Sequence, residues 1–242
     1  MAIRLCALVV LAGIGQGLIG CAADHRVSPE LTWRPTFEGR LEQLDDELRA
    51  YDDQLAARDP RPDETAWVLE QLALLGARDR LVHERWSQVL AEVPPVQRSF
   101  ARQRLAKRVH ETQVDNAALL EPLLDRYGWF TVSDFGPEAD RDAWRVVQHA
   151  DARPDLQQRV LVLLEGLVEV GETDPAHFAY LADRVAISRG EQQSFGTQGE
   201  CVAPGTWEPY TILEAETVDE RRAQLSLMPL ADYVALASEG CP

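Results

Sequence analysis

From Phe37 onward the apolar residues Phe37, Leu41, Leu44, Leu48, Tyr51 and Leu55 recur at spacings of 4, 3, 4, 3 and 4. That period stacks them on one face of an α-helix, with Glu and Asp over most of the remaining surface. Three heptads are short for a sustained coiled coil, so the stripe predicts packing within the chain; self-association of two copies through the helix 37–55 is the alternative. A second helix is predicted from near Asp63 to Val93. Trp67, Leu72, Leu75, Val82, Trp86, Val89 and Val93 form its buried side, and Pro94-Pro95 ends it. A third follows past Phe100, Leu105 and Val109, with Pro122 kinking or dividing it before Gly128.

Gly136-Pro137 opens a fourth helix with Trp144 and Val147 inward, and a fifth runs from Pro154 to Val170, stopped by Gly171. Asp174-Pro175 supplies an N-cap followed by proline at the first helical position, starting a sixth helix that ends at Gly190. Beyond it, "EQQSFGTQGECVAPGTWEP" is rich in glycine and proline and has no helical period, which predicts loop or short extended structure. Thr217-Val218-Asp219-Glu220 reads as a capping box, and Pro229 opens a last short helix. The expected fold is all-α: a single-domain helical array over residues 36–242, with an irregular loop after residue 190 and two short C-terminal helices.

Upstream the pattern changes. Residues 1–20 hold one basic residue, Arg4, and an apolar stretch broken by glycines and Gln16, which suits a cleaved signal segment better than a membrane span of about 20 apolar residues. Leu18-Ile19-Gly20-Cys21 resembles the lipobox of bacterial lipoproteins. The resemblance implies cleavage before Cys21, lipid on its thiol and acylation of the new amino terminus, a multi-chain anchor that holds a protein stably at a bilayer. Ala22 stands where an aspartate commonly retains such lipoproteins in the inner membrane, so the resemblance implies an outer-membrane protein facing the periplasm. Residues 21–35, with two prolines and no helical period, read as lipidated N-terminus and tether.

That reading makes the cysteines informative. With Cys6 removed and Cys21 lipidated, only Cys201 and Cys241 remain, and two thiols in an oxidising compartment are expected to pair. Charge adds a further exclusion. The chain carries 24 Lys and Arg against 40 Asp and Glu, a net charge of −16, which repels polyanions and argues against nucleic-acid binding.

Candidate chemistry gathers late in the chain. Gln148-His149-Ala150-Asp151 places polar residues at the end of the fourth helix, where a histidine is favoured by the helix dipole and Asp151 or Asp155 can serve the next helix start. The segments Gly128-Trp129, Gln148 to Asp151, Ala179 to Val185, Gln193 with Gly196-Thr197-Gln198, and Asp219 with Arg221-Arg222 together resemble a family of bacterial domains of unknown function. The family-like part is residues 110–242. Phe195, Phe130 and Ser226 depart from that family's usual tyrosine, proline and glycine, and the resemblance implies no particular reaction.

The residue types are those that hold a polar ligand or move a proton. His149 can exchange a proton near neutral pH, with Asp151 or Asp183 orienting its ring. Tyr180 and Asp183 share a face of the sixth helix, and Arg184 or Arg222 can bind a carboxylate or phosphate in fork geometry. Gln193, Thr197 and Gln198 sit on a glycine-containing loop that could cover the same ligand. A buried polar network tying that loop to the helices would use the same residues. No zinc-protease, phosphate-loop or nucleophile-elbow motif is present, and His25, His83, His110, His149 and His177 are scattered, so no metal site and no cofactor is predicted. The sequence thus predicts a membrane-anchored periplasmic lipoprotein with an all-α binding or interaction domain for a small polar ligand or an envelope protein. The alternative is an envelope hydrolase or lyase using His149 as acid and base.

Overall fold

The computed structural model describes residues 29–241. The signal segment 1–20, the lipobox Leu18–Cys21 and residues 22–28 of the expected tether lie outside the described residues. The described chain is mainly helical: α1 (Pro29–Ala56), α2 (Thr65–Glu92), α3 (Arg98–Tyr127), α4 (Val132–Phe135), α5 (Pro137–Gln148), α6 (Pro154–Glu169), α7 (Pro175–Ser188), α8 (Val218–Gln224) and α9 (Leu230–Glu239). The glycine-rich stretch after α7 holds an antiparallel hairpin, β1 (Gly199–Ala203) and β2 (Thr206–Pro209), with Cys201 opposite Trp207.

Two apolar clusters organise these elements. At one end Phe37, Leu41, Leu44 and Leu48 of α1 pack with Val89 and Leu90 of α2 and with Ala101 and Leu105 of α3. The stripe of α1 is therefore spent inside the chain, which favours internal packing over pairing with a second copy. A buried arginine ties the same three helices together: Arg78 donates to Asn116 Oδ1 at 2.8 Å and pairs with Asp52 at 2.8 Å. At the other end Leu72 and Leu75 of α2, Leu120 and Leu124 of α3, Val146 and Val147 of α5, Leu156, Val160 and Leu164 of α6 and Leu181 of α7 form the larger cluster.

The crossing of α2 and α5 is unusually close, and Gly76 permits it. A Cβ there would lie 2.6 Å from Asp142 Cγ, so any larger residue would have to push α5 away. One turn beyond Gly76 on the same face comes Asp79, and one more turn brings His83. The close crossing sets both beneath the end of α5.

Three local expectations need correction. Residues 29–35, read as tether, belong to α1, which starts at Pro29 and passes Pro35; proline suits a first helical position, and its presence hid the helix start. Pro122 does not divide α3, which runs unbroken to Tyr127. Thr217 is the N-cap of α8 but makes no capping box: its hydroxyl donates to the Glu214 carbonyl and accepts from Arg221 Nη1. Asp174 does cap α7, accepting from Ala176 N at 2.9 Å.

Cys201 and Cys241 are joined in a disulfide, their Cα atoms 5.5 Å apart. The bond ties β1 to the end of α9, and Gly205 N donating to the Cys241 carbonyl at 3.0 Å closes the same corner.

Candidate functional site

The expected site residues fall into two groups. The first is a closed network around the loop after α7. Asp183, fully buried on α7, accepts from Ser194 N at 2.8 Å, Phe195 N at 2.9 Å, Thr197 N at 2.8 Å and the Thr197 hydroxyl at 2.9 Å. The loop can wrap one carboxylate so tightly because Gly196 takes φ +70°, a conformation costly for any residue with a side chain. Burial pushes the Asp183 carboxyl above the usual carboxylate range, against the pull of those donors.

Gln193 staples the loop to its return strand. Its amide donates to the carbonyls of Gln198 and Tyr210, both at 2.8 Å, and its side-chain oxygen accepts from Gln198 N at 2.9 Å. Thr197 Oγ1 accepts in turn from Gln198 Nε2. Arg222 of α8 donates to the carbonyls of Phe195 and Met228, both at 2.6 Å, with its guanidinium over the Tyr233 ring. Tyr180 sets its ring edge-on to Trp144 and Tyr233. With their polar atoms engaged within the chain, Asp183, Gln193, Thr197 and Arg222 form a buried network that holds the loop, and the half-buried Gln198 side chain joins it through Thr197.

The second group centres on His149, the C-cap of α5. No described hydrogen bond links it to Asp183 or Asp151, the expected orienting carboxylates. Its partner is Asp79 of α2: His149 Nδ1 lies 2.7 Å from Asp79 Oδ2. Asp79 is 1% exposed, whereas the His149 side chain keeps 25% of its surface open. Since a carboxylate only accepts, the contact places a proton on Nδ1, and in the neutral ring Nε2 then keeps a free lone pair. Asp151 pairs instead with Arg184 at 3.0 Å, joining the end of α5 to α7 on the rim of the site. Gln148 is buried and its side-chain oxygen has no partner.

His83 completes the group. Its ring centroid sits 3.9 Å from that of His149 with the planes 33° apart, and its Nε2 faces Asp79 Oδ1 at 3.8 Å, too far for a hydrogen bond. Both of these atoms are buried and unpartnered, a state that costs roughly 1–3 kcal/mol for each group. Burial, with the neighbouring His149 imidazole, pushes the His83 pKa down to about 4 against the opposing pull of Asp79, so this ring is neutral at physiological pH. Folding thus brings His149 onto Asp79 and His83, which lie one turn apart on α2, where no metal-ligating set was predicted.

Asp79 and His83 were missed in the sequence. A signal was there: along α2 the inward positions Leu72, Leu75, Val82 and Trp86 are apolar, and Asp79 falls in step with them. A carboxylate in an apolar stripe is buried and needs a partner, although nothing in the sequence names which one.

A second aspartate–histidine pair lies where α5 meets α7. Asp140 accepts from Trp129 Nε1 and the Thr173 hydroxyl, both at 2.7 Å, and from Asp174 N at 3.1 Å. His177 Nδ1 is 2.9 Å from Asp140 Oδ2, off the line of a well-aligned hydrogen bond, and its ring stacks on Trp144 at 4.4 Å. His177 is nearly enclosed, so this pair braces the fold. A cleft of about 580 Å³ between α1, α2 and α3 is also charged, yet its main arginines are neutralised internally, Arg108 by Asp45 at 2.6 Å and Arg78 by Asp52. In neither place does a buried carboxylate hold a partly open imidazole, as Asp79 holds His149.

A family of unknown function, DUF6624, matches residues 73–241. The chain belongs to the DUF6624 family. The DUF6624 region begins inside α2, upstream of the 110–242 expected from the motifs, so it holds Asp79 and His83 as well as His149. Helix α1 lies outside it. No curated protein and no solved structure matches the chain.

Proposed function

We propose that this DUF6624 protein is an envelope lipoprotein, anchored through lipid on Cys21 at the outer membrane and facing the periplasm, whose helical domain binds a polar ligand at His149. The observation that carries the site is the 2.7 Å contact between a partly open imidazole and a fully buried carboxylate. Burying an unpaired carboxylate is costly, and the imidazole that pairs with Asp79 is left partly open to solvent. Holding the ring rigidly at the surface with one nitrogen free is what recognition needs.

The anchor rests on Leu18-Ile19-Gly20-Cys21. One structural fact agrees with it: the disulfide suits an oxidising compartment. Among the described residues, no helix is long and apolar enough to cross a membrane.

A second reading is favoured by the same geometry. A buried carboxylate fixing the Nδ1–H tautomer leaves Nε2 as a general base, the arrangement by which an envelope hydrolase or lyase would activate water or abstract a proton. A ligand-binding role needs no such transfer.

The anchor is tested by labelling cells with radioactive palmitate. The full chain is expected to carry label and to sediment with membranes, while Cys21→Ser accumulates as unlabelled precursor. Labelled Cys21→Ser would refute the anchor.

A further inference from the structure

We infer that Asp79, His83 and His149 form a binding site for a divalent transition-metal ion of the zinc type. This deepens the reading above by naming the ligand, and it rests on the site lying at His149. Each of the three residues presents one donor atom, and all three atoms lie within 4.8 Å of one another. Two imidazoles and one carboxylate are the ligand types that borderline ions such as zinc and cobalt prefer.

The two unpartnered atoms point to the ion directly. Asp79 Oδ1 and His83 Nε2 are buried, face each other at 3.8 Å and bond to nothing. Ligands at zinc bond lengths of about 2.0–2.2 Å stand roughly 3.4 Å apart across a tetrahedral centre. A gap too wide for a hydrogen bond is thus close to the span of one ion, and the ion would satisfy both atoms at once. The buried Asp79 carboxylate would balance half of the ion's charge.

The scaffold is suited to the task. Asp79 and His83 are i and i+4 on one face of α2, a two-ligand clamp on a rigid element. His149 is brought over them by the α2–α5 crossing that Gly76 permits. The His83 and His149 side chains keep 34% and 25% of their surface open, so the cluster lies at the surface of the domain and not deep in its core. Loading replaces the Nδ1–H contact of His149 to Asp79 with bonds to the ion, and the displaced proton leaves to solvent. Three protein ligands with one open position is the pattern of a site that presents its metal to a further molecule, as distinct from a closed structural site.

The test is cobalt titration of the full chain, purified in detergent and stripped with chelator. The wild-type protein is expected to take up one Co²⁺ with the visible absorption of a tetrahedral or five-coordinate centre. His83→Ala and Asp79→Asn are each expected to weaken binding at least tenfold while keeping the helical circular-dichroism spectrum. His110→Ala, a histidine in the cleft between α1 and α3, is expected to bind as the wild type does. If His83→Ala, at a half-buried position that can lose its ring without unfolding, binds Co²⁺ as well as the wild type, the metal site is overturned. Absence of binding in the wild type overturns it equally. Either failure leaves the broader site at His149 intact, because the Asp79–His149 hydrogen bond is measured separately on metal-free protein.

Discussion

Asp183→Ala is expected to destabilise the domain by roughly 3–5 kcal/mol. The Asp183 carboxylate is fully buried and accepts three backbone N–H groups and one hydroxyl from residues 194–197. Removing it leaves those donors without a protein acceptor, at about 1–3 kcal/mol for each that stays buried, less what water recovers by entering the cavity. For a domain of this size, about 2–4 °C is lost per kcal/mol, so the melting temperature should fall by roughly 6–20 °C. Asp183→Asn keeps one acceptor oxygen and should fall between the variant and the wild type. The loop after α7 should also become the first site of protease cleavage in Asp183→Ala, since Asp183 is the side chain that ties residues 194–197 to α7. A melting temperature within 2 °C of the wild type would mean that the loop is held in some other way.

A comparable loss, with a distinct pH signature, is expected at Asp140. Burial alone would push its carboxyl up, but the His177 imidazole beside it and the donors Thr173 and Trp129 outweigh burial and hold it below the usual carboxylate range. A carboxylate with a depressed pKa binds fewer protons in the folded than in the unfolded chain. Its contribution is therefore full above the unfolded-state value of about 3.9 and is lost as pH falls through and below it. The wild-type melting temperature should be insensitive to this group from pH 7 to pH 5 and fall from about pH 4 downward. Asp140→Asn cannot make the charge-assisted bonds and should start about 2–3 kcal/mol lower at pH 7. Its acid slope should be shallower than that of the wild type. Parallel curves for the two proteins down to pH 2.5 would show that Asp140 is not the group responsible.

Most of the helical order was legible because its determinants are local. Asp174-Pro175 at the start of α7 and the glycines after α6 and α7 act on residues within a turn or two, and they sit where the structure places the boundaries. The start of α1 was hidden because prolines at 29 and 35 resemble linker punctuation, although the first of them opens the helix. Thr217 to Glu220 has the letters of a capping box, but Arg221 claims the threonine hydroxyl. Arg221 is drawn there by the carbonyls of Ser194 and Leu213, contacts that exist only once the chain has folded.

The site was half legible for the same reason. His149 stands out as a titratable group at the end of an amphipathic helix, and nearby Asp151 and Asp183 were the natural partners to expect. The true partner is 70 residues away in the chain. Nothing local to α2 announces that Asp79 faces α5; the decision is made by Gly76, whose missing side chain lets two helices approach until a carboxylate on one meets an imidazole on the other. Asp183, by contrast, carried the marks of a functional residue and proves to be a loop anchor. A buried carboxylate with a complete set of backbone donors and an active-site carboxylate are indistinguishable as letters, and only the partners tell them apart.

The central claim is that Asp79 holds the His149 ring with its Nδ1 protonated and its Nε2 free. The most direct measurement is the long-range ¹⁵N–¹H correlation spectrum of the imidazoles in metal-free protein at pH 8, with His149 assigned by its loss in His149→Gln. The expected result is a neutral Nδ1–H tautomer for His149, with the Nδ1 proton shifted far downfield by the bond to the carboxylate. A majority Nε2–H tautomer, or a ring averaging freely between the two, would contradict it.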